Sequence, residues 1–285
     1  MHDQTHHNVF SKVLILASII LAIKLVAWFL SGSLAVLTTL IDSTFDVLMS
    51  IVNGLAFKYA QKPADDDHRF GHKAIEDITG LFQSLFIFGS GVYVVYSAVY
   101  RLIYPTTINH GWLSIALIIV SLGFTLAIYL HQRKAHKATN STIVHADSLH
   151  YLSDFLLNGT VIISLILSIY FDTYFVDLLF ALTITAFLIK SAWQIGKNSF
   201  DNLMDKEMPD EERLAIIELI AKNKDVKGYH QLKTRKSGNK YFIQMHLELD
   251  KGLSLMQAHE IADGLEQQLL EKYKDAEIII HEDPV

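Results

Sequence analysis

The chain has 285 residues, 51% of them hydrophobic, with a formal net charge of -6 and no cysteine. The absence of thiols excludes disulfide scaffolds, thiolate zinc sites and cysteine nucleophiles. The mildly acidic balance argues against a nucleic-acid partner.

A mean hydropathy of +0.28 is too high for an ordinary soluble domain, and the apolar residues are gathered into runs. A bilayer span needs roughly 20 predominantly apolar residues. Six runs are predicted to span: Val13 to Leu30, Gly32 to Phe57, Ile78 to Tyr100, Gly111 to Leu130, Ser148 to Phe171 and Val176 to Trp193. The His-rich start, MHDQTHH, reads as a solvated, disordered end. The first run is full length and no A-x-A-like site follows it, so it reads as a span and not as a cleaved signal peptide.

Lys58, Lys62, Arg69 and Lys73 lie between the second and third runs, and Arg133, Lys134 and Lys137 between the fourth and fifth. The other linkers carry only Arg101. Basic residues mark the cytoplasmic side, so both termini are expected in the cytoplasm.

The second run contains LIDSTFDVLM, with Asp42 and Asp46 four residues apart. On a helix they share one face, about 6 Å apart along the axis. A carboxylate at the centre of a span costs about 2.5–3.5 kcal/mol, and two ionised neighbours repel unless a cation lies between them. A helix-packing pair, protonated or bonded to neighbouring spans, is the alternative. The fifth run repeats the spacing with His150 and Asp154 in HADSLHYLSDFLLNG. If the two faces meet, Asp42, Asp46, His150 and Asp154 offer four N/O donors to a tetrahedral divalent ion, zinc foremost. The ion's charge would offset the cost of burying the carboxylates.

Between the second and third runs, PADDDHRFGHKAIED places Asp65, His68 and His72 at metal-ligand spacing, with a solvated acidic loop as the alternative.

After Ser199 the composition turns polar, which divides the chain into a membrane domain at 1–200 and a soluble domain at 201–285. The tail is predicted as helix, strand, strand, helix, strand. Pro209 to Lys222 is helical. Val226 to Arg235 and Tyr241 to Leu249 are strands joined by the turn signal KSGN. Ser254 caps a helix to about Tyr273, and Ala276 to His281 closes the domain with a strand. Period-2 alternation puts Ile243, Met245, Leu247 and Leu249 on the core face, and Phe242, Gln244, His246 and Glu248 on the other. His259 sits beside Asp263 and Glu266 on the polar face of the second helix. Each tail histidine taken alone reads as a surface residue.

These motifs together resemble the cation diffusion facilitator family, in particular its bacterial zinc/iron efflux antiporters. The matching stretches are DSTFD, HYLSD, PADDDHRFGH, QMHLELD, QAHEIAD and IIHEDP, in the family's order along nearly the whole chain. The resemblance implies that Asp42, Asp46, His150 and Asp154 form a transport site. It implies a second cation site at Asp65, His68 and His72. It also implies a two-metal site near a dimer interface, at His230, His246, His259, His281 and Asp283, within a metallochaperone-like fold. Two departures stand out. Relatives usually read Gly-His-Gly-Lys-Ala-Glu where this chain has GHKAIED, so Lys73 stands one place early. In relatives that lysine belongs to an ion pair near the dimer interface, for which Asp205 would be the partner here. Glu282 stands where some relatives carry a neutral residue.

The expectation is therefore a homodimeric, multi-pass inner-membrane protein that exports Zn(II), with Cd(II) or Fe(II) as further cargo, in exchange for protons. A metal sensor or a channel without proton coupling is the alternative reading. An intramembrane protease is disfavoured. HEIAD departs from H-E-x-x-H at Asp263, and no Gly-x-Gly-Asp element is present.

Overall fold

The computed structural model describes residues 9–31, 34–103, 112–171 and 174–285. The MHDQTHH stretch and the predicted span starts at Gly32 and Gly111 lie outside them. The chain divides into two compact units, Met1–Ser199 and Phe200–Val285.

The first unit is helical. It contains α1 (Val9–Ser31), α2 (Leu34–Ala60), α3 (Ala74–Ile103), α4 (Trp112–Thr139), α5 (Thr142–Phe171) and α6 (Tyr174–Leu203), the last running into the second unit. Taken over the described residues alone, no helix is long and apolar enough to cross a membrane. Each helix nevertheless covers the described part of one predicted apolar run, and several extend past it. The fourth helix continues beyond Leu130 to Thr139, and the fifth begins at Thr142, ahead of Ser148. Hydropathy marks where the bilayer would end, whereas Gln, Arg, Lys and Ala carry a helix on into water. Between α4 and α5 the chain reverses at Asn140, whose φ is 50°. Its amide donates to the His136 carbonyl at 2.8 Å, an αL ending that asparagine tolerates.

Beside a buried apolar interior, this unit exposes large aromatic side chains and buries amides and a carboxylate. Phe82, Tyr93 and Trp193 are each about two-thirds exposed, and Phe29 is 83% exposed. Meanwhile Ser50, Asn53, Gln83, Gln132 and Asp147 are buried. A protein surrounded by water hides its aromatic residues and exposes its amides. A helical bundle surrounded by hydrocarbon does the reverse, because lipid cannot hydrogen-bond to polar groups. Helices approach closely at glycines. A Cβ on Gly80 would lie 2.6 Å from Thr142 Cγ2, and one on Gly196 would lie 2.5 Å from Ser84 Oγ. Small residues at such crossings let membrane helices pack backbone to backbone.

The second unit adds α7 (Asp210–Lys222), β1 (Val226–Ser237), β2 (Lys240–Leu249), α8 (Leu255–Lys272) and β3 (Glu277–Pro284). Its order is the predicted αββαβ. The sheet runs β1-β2-β3, with β1 antiparallel to β2 and β2 parallel to β3. The parallel pair is reached through α8, as a crossover connection requires. Ser254 opens that helix with a capping box shared with Gln257. The core joins Ile216 and Ile220 of α7, Ile243, Met245, Leu247 and Leu249 of β2, and Leu265 and Leu269 of α8.

One residue departs from the alternation. Phe242, on the face opposite the core, is only 4% exposed. The Arg235 guanidinium lies 4.3 Å and the Lys240 ammonium 5.0 Å from its ring centroid. Long basic side chains cover the ring with their stems and place cations over its face.

Leu265 is fully buried at the centre of the tail core. Truncation to alanine is expected to cost the tail about 2–5 kcal/mol. Hydrogen exchange of the β2 amides in the full chain checks this: protection should fall, and unchanged protection would mean that α8 does not hold the sheet.

Candidate metal centres

Three groups of potential ligands converge among the described residues. The first lies in the helical unit, where α2 and α5 meet. His150 Nε2 lies 3.2 Å from Asp46 Oδ1 and 3.6 Å from Asp154 Oδ2. Zinc bonds of about 2.0–2.1 Å in a tetrahedron place neighbouring ligand atoms roughly 3.3 Å apart, so both spacings suit one shared ion. The Phe86 ring meets His150 edge-on, with centroids 5.8 Å apart. Beside the imidazole is a small crevice lined by Met49, Gln83, Phe86 and Ile87.

Asp42 is not part of this convergence. It lies one turn earlier on α2 and is exposed. The group is thus two carboxylates and one imidazole, with Asp42 on the same helix beyond it. The α1 helix brings a residue that hydropathy alone did not single out. Lys24 donates to Ser43 Oγ at 2.7 Å and acts electrostatically on Asp46, Asp42 and Asp154.

A second polar layer lies towards the α4–α5 turn. Asp147, three residues before His150, is 1% exposed. Asn53 Nδ2 donates to one of its carboxylate oxygens at 2.8 Å, and Gln132 Nε2 donates to the other. Ser50 and Tyr151 share a hydrogen bond of 2.9 Å. The helices α2, α4 and α5 are therefore joined through one buried carboxylate. Sequence reading passed over Asp147 because it lies one residue outside the apolar run that begins at Ser148. The signal that could have found it is its i,i+3 spacing from His150.

The second group lies between α2 and α3. Asp65 is 3.3 Å from His68 Nδ1 through one oxygen and 3.3 Å from His72 Nε2 through the other. The imidazole centroids are 4.6 Å apart. The loop is shaped by Asp65 Oδ1, which accepts from the amides of Asp67 at 3.1 Å and His68 at 2.7 Å. Gly71, at φ 84°, turns the chain into α3. The His68 amide bond holds the Asp65 carboxyl below the usual carboxylate range, with His72 and His68 adding attraction. His72 is 4% exposed, and its Nδ1 is buried without a hydrogen-bond partner. Lys73 lies 3.8 Å from Glu76, whereas Asp205 pairs with Arg235 at 2.8 Å. Each residue of the implied ion pair thus has a partner in its own unit.

The third group lies on the outer face of the tail sheet. His230 pairs with His246 across β1 and β2, and His246 with His281 across β2 and β3. Asp283, two residues after His281, returns to the same face. Its carboxylate lies 2.8 Å from His246 Nδ1, 3.0 Å from His230 Nε2 and 3.4 Å from His281 Nε2. The His246 hydrogen bond keeps Asp283 below the usual carboxylate range, aided by the charges of His246, His281 and His230. His230, His246 and Asp283 form the tightest set, and His281 flanks it. His259 stands apart: it is exposed on α8, and its ion-pair partner is Asp263 at 4.0 Å. The buried side of that helix faces the core, while the histidine row occupies the opposite face of the sheet. Glu282 alternates away from the row and pairs in register with Leu247.

Comparison with known proteins places both units. Residues 12–204 match the cation efflux transmembrane domain, and residues 208–285 match the cation efflux protein cytoplasmic domain. The chain is 42% identical over 269 residues to the cation-efflux pump FieF of Serratia proteamaculans (strain 568), covering 94% of this chain and 89% of that protein. It is 38% identical over 286 residues to FieF of Salmonella newport (strain SL254), covering 99% and 95%. Among solved structures, the metal-bound C-terminal domain of the CzcD transporter from Thermotoga maritima is 28% identical. That match covers 27% of this chain and 94% of that one, with a TM-score of 0.25. The six helices are accordingly a transmembrane domain and the αββαβ unit its cytoplasmic domain, and the chain belongs to the cation efflux family of membrane transporters, which are not enzymes.

Proposed function

We propose that the chain is a homodimeric antiporter of the inner membrane that exports Zn(II), with Cd(II) or Fe(II) as further cargo, in exchange for protons. The observation that carries this reading is the convergence of Asp46, His150 and Asp154 inside the transmembrane domain. Carboxylates and an imidazole must shed protons to bind metal. A site built from them loads metal where protons are scarce and releases it where they are plentiful. Rocking of the helices around a midplane site would present it to each side in turn. Asp42, on the same helix as Asp46, is the fourth ligand once the bundle closes on the ion.

The distribution of basic residues supports an orientation with both termini and the tail in the cytoplasm. There the tail pairs two subunits, a role supported by the match to the family's dimerising cytoplasmic domain. Its histidine row and the Asp65 loop hold zinc that is not transported. Ligand spacings of 2.8–3.4 Å in the row and 3.3 Å in the loop suit tetrahedral zinc. Metal that binds only the folded, paired tail stabilises it and so tunes transport without lying on its path. His259 joins that tail site if the metal-bound dimer brings α8 to it.

Asp46→Ala or Asp154→Ala is expected to abolish zinc flux into sealed vesicles driven by a pH gradient, while the protein still inserts. Flux near the parent rate in either variant would remove the site assignment. Flux in the parent that ignores the pH gradient would favour a channel.

His150 is the one nitrogen donor of the membrane group. His150→Asp makes an all-oxygen site, which suits harder cations. Preference for Zn(II) over Mn(II) in competition assays should shrink, and an unchanged ratio would place selectivity elsewhere.

In the tail, the double variant His246→Ala, His281→Ala should bind fewer zinc ions per subunit and retain flux at altered affinity or rate. Complete loss of flux in a well-folded variant would put the row on the transport path. Unchanged zinc stoichiometry would make its histidines ordinary surface residues.

A further inference from the structure

Lys24 has no place in the ligand set, yet it is directed at that set. It projects from α1, is half-buried, and donates to Ser43 Oγ at 2.7 Å, on the residue after Asp42. Asp46, Asp42 and Asp154 feel its charge, whereas Asp147 is met by Asn53 and Gln132. An ammonium inside a bilayer is costly and requires a reason to be retained.

The charges supply one. Ionised Asp42, Asp46 and Asp154 carry three negative charges, and metal-ligating His150 is neutral. Lys24 cancels one of the three. The remainder matches a doubly charged ion, so the loaded site is electrically neutral in a medium where net charge is heavily penalised. Without Lys24, neutrality would require a triply charged ion or a retained proton.

We propose that Lys24, tethered on Ser43, is the charge-setting residue of the transmembrane site, a resident cation that matches the site to divalent cargo and keeps its hold on that cargo weak enough for release. The proposal rests on the reading of Asp42, Asp46, His150 and Asp154 as the transport site. Lys24 touches no metal in this scheme; it acts through the carboxylates.

The test uses the full chain in lipid nanodiscs. Zinc binding is measured by equilibrium dialysis, and the component lost in Asp154→Ala defines the membrane site. Two neutral variants separate charge from contact: Lys24→Met removes both, and Lys24→Gln keeps a donor for Ser43. Both should tighten zinc binding at the membrane site about ten- to a hundredfold, because a nearby positive charge has gone. In vesicles, KM and kcat should fall together, since a more tightly held ion leaves more slowly. A trivalent lanthanide should compete with zinc better in both variants than in the parent. Lys24→Arg, which keeps the charge, should match the parent in all three measurements.

Parent-like zinc affinity and lanthanide competition in the two neutral variants would overturn the proposal. So would an arginine variant that behaves like the neutral ones, which would make the role one of packing. If Asp154→Ala itself keeps parent binding and flux, the transport-site reading fails first. If it loses them while the neutral Lys24 variants bind zinc as the parent does, the Lys24 proposal fails alone.

Discussion

A carboxylate among apolar helices must be met by positive charge, a proton or hydrogen-bond donors. Much of the polar architecture of the helical unit follows from that requirement. Asp46 and Asp154 are met by His150 between them. Asp147 is met by two amides from two other helices. Lys24 of α1 donates to Ser43 on α2 and interacts electrostatically with Asp46, Asp42 and Asp154. Each solution ties two or more helices together, so the groups that make the site also fix how α1, α2, α4 and α5 face one another.

The same requirement separates the sites by environment. In the bilayer an unneutralised donor set is expensive, and under the proposed antiport it would be occupied by either metal or protons. In the tail, water shares the cost. Asp283 and its three imidazoles are partly exposed, so the row can stand without metal. The proposed transport site would benefit from the first condition and the proposed tail site from the second.

The sequence made the architecture legible where periodicity was strong. The six apolar runs, the αββαβ order and the Ser254 cap all have counterparts in the structure. Spacing of i,i+4 correctly put His150 and Asp154 on one face. It could not say at what level α2 meets α5, and Asp42, one turn before Asp46, lies outside the converging atoms. Lys24 was hidden because one cation does not interrupt a hydropathy run. Asn53 and Gln132 were hidden because amides carry no charge to flag them. His259 was legible as a polar-face residue, but which side of the sheet α8 covers is a matter of chain crossover and not of local pattern. The tail row was the converse case: four residues scattered from 230 to 283 meet only because strand pairing aligns them.

That alignment makes the tail row a gauge of strand register. One imidazole comes from each strand, and neighbouring imidazoles are direct pairing partners. A slip of β3 by a single residue would turn His281 and Asp283 towards the hydrophobic core and bring Glu282 outward in their place. An ion bound across the row therefore latches three strands at a common level and discriminates against every neighbouring alignment. Under the proposed tail site, insertions or deletions within β3 would be felt first as lost metal capture, even where the sheet still forms.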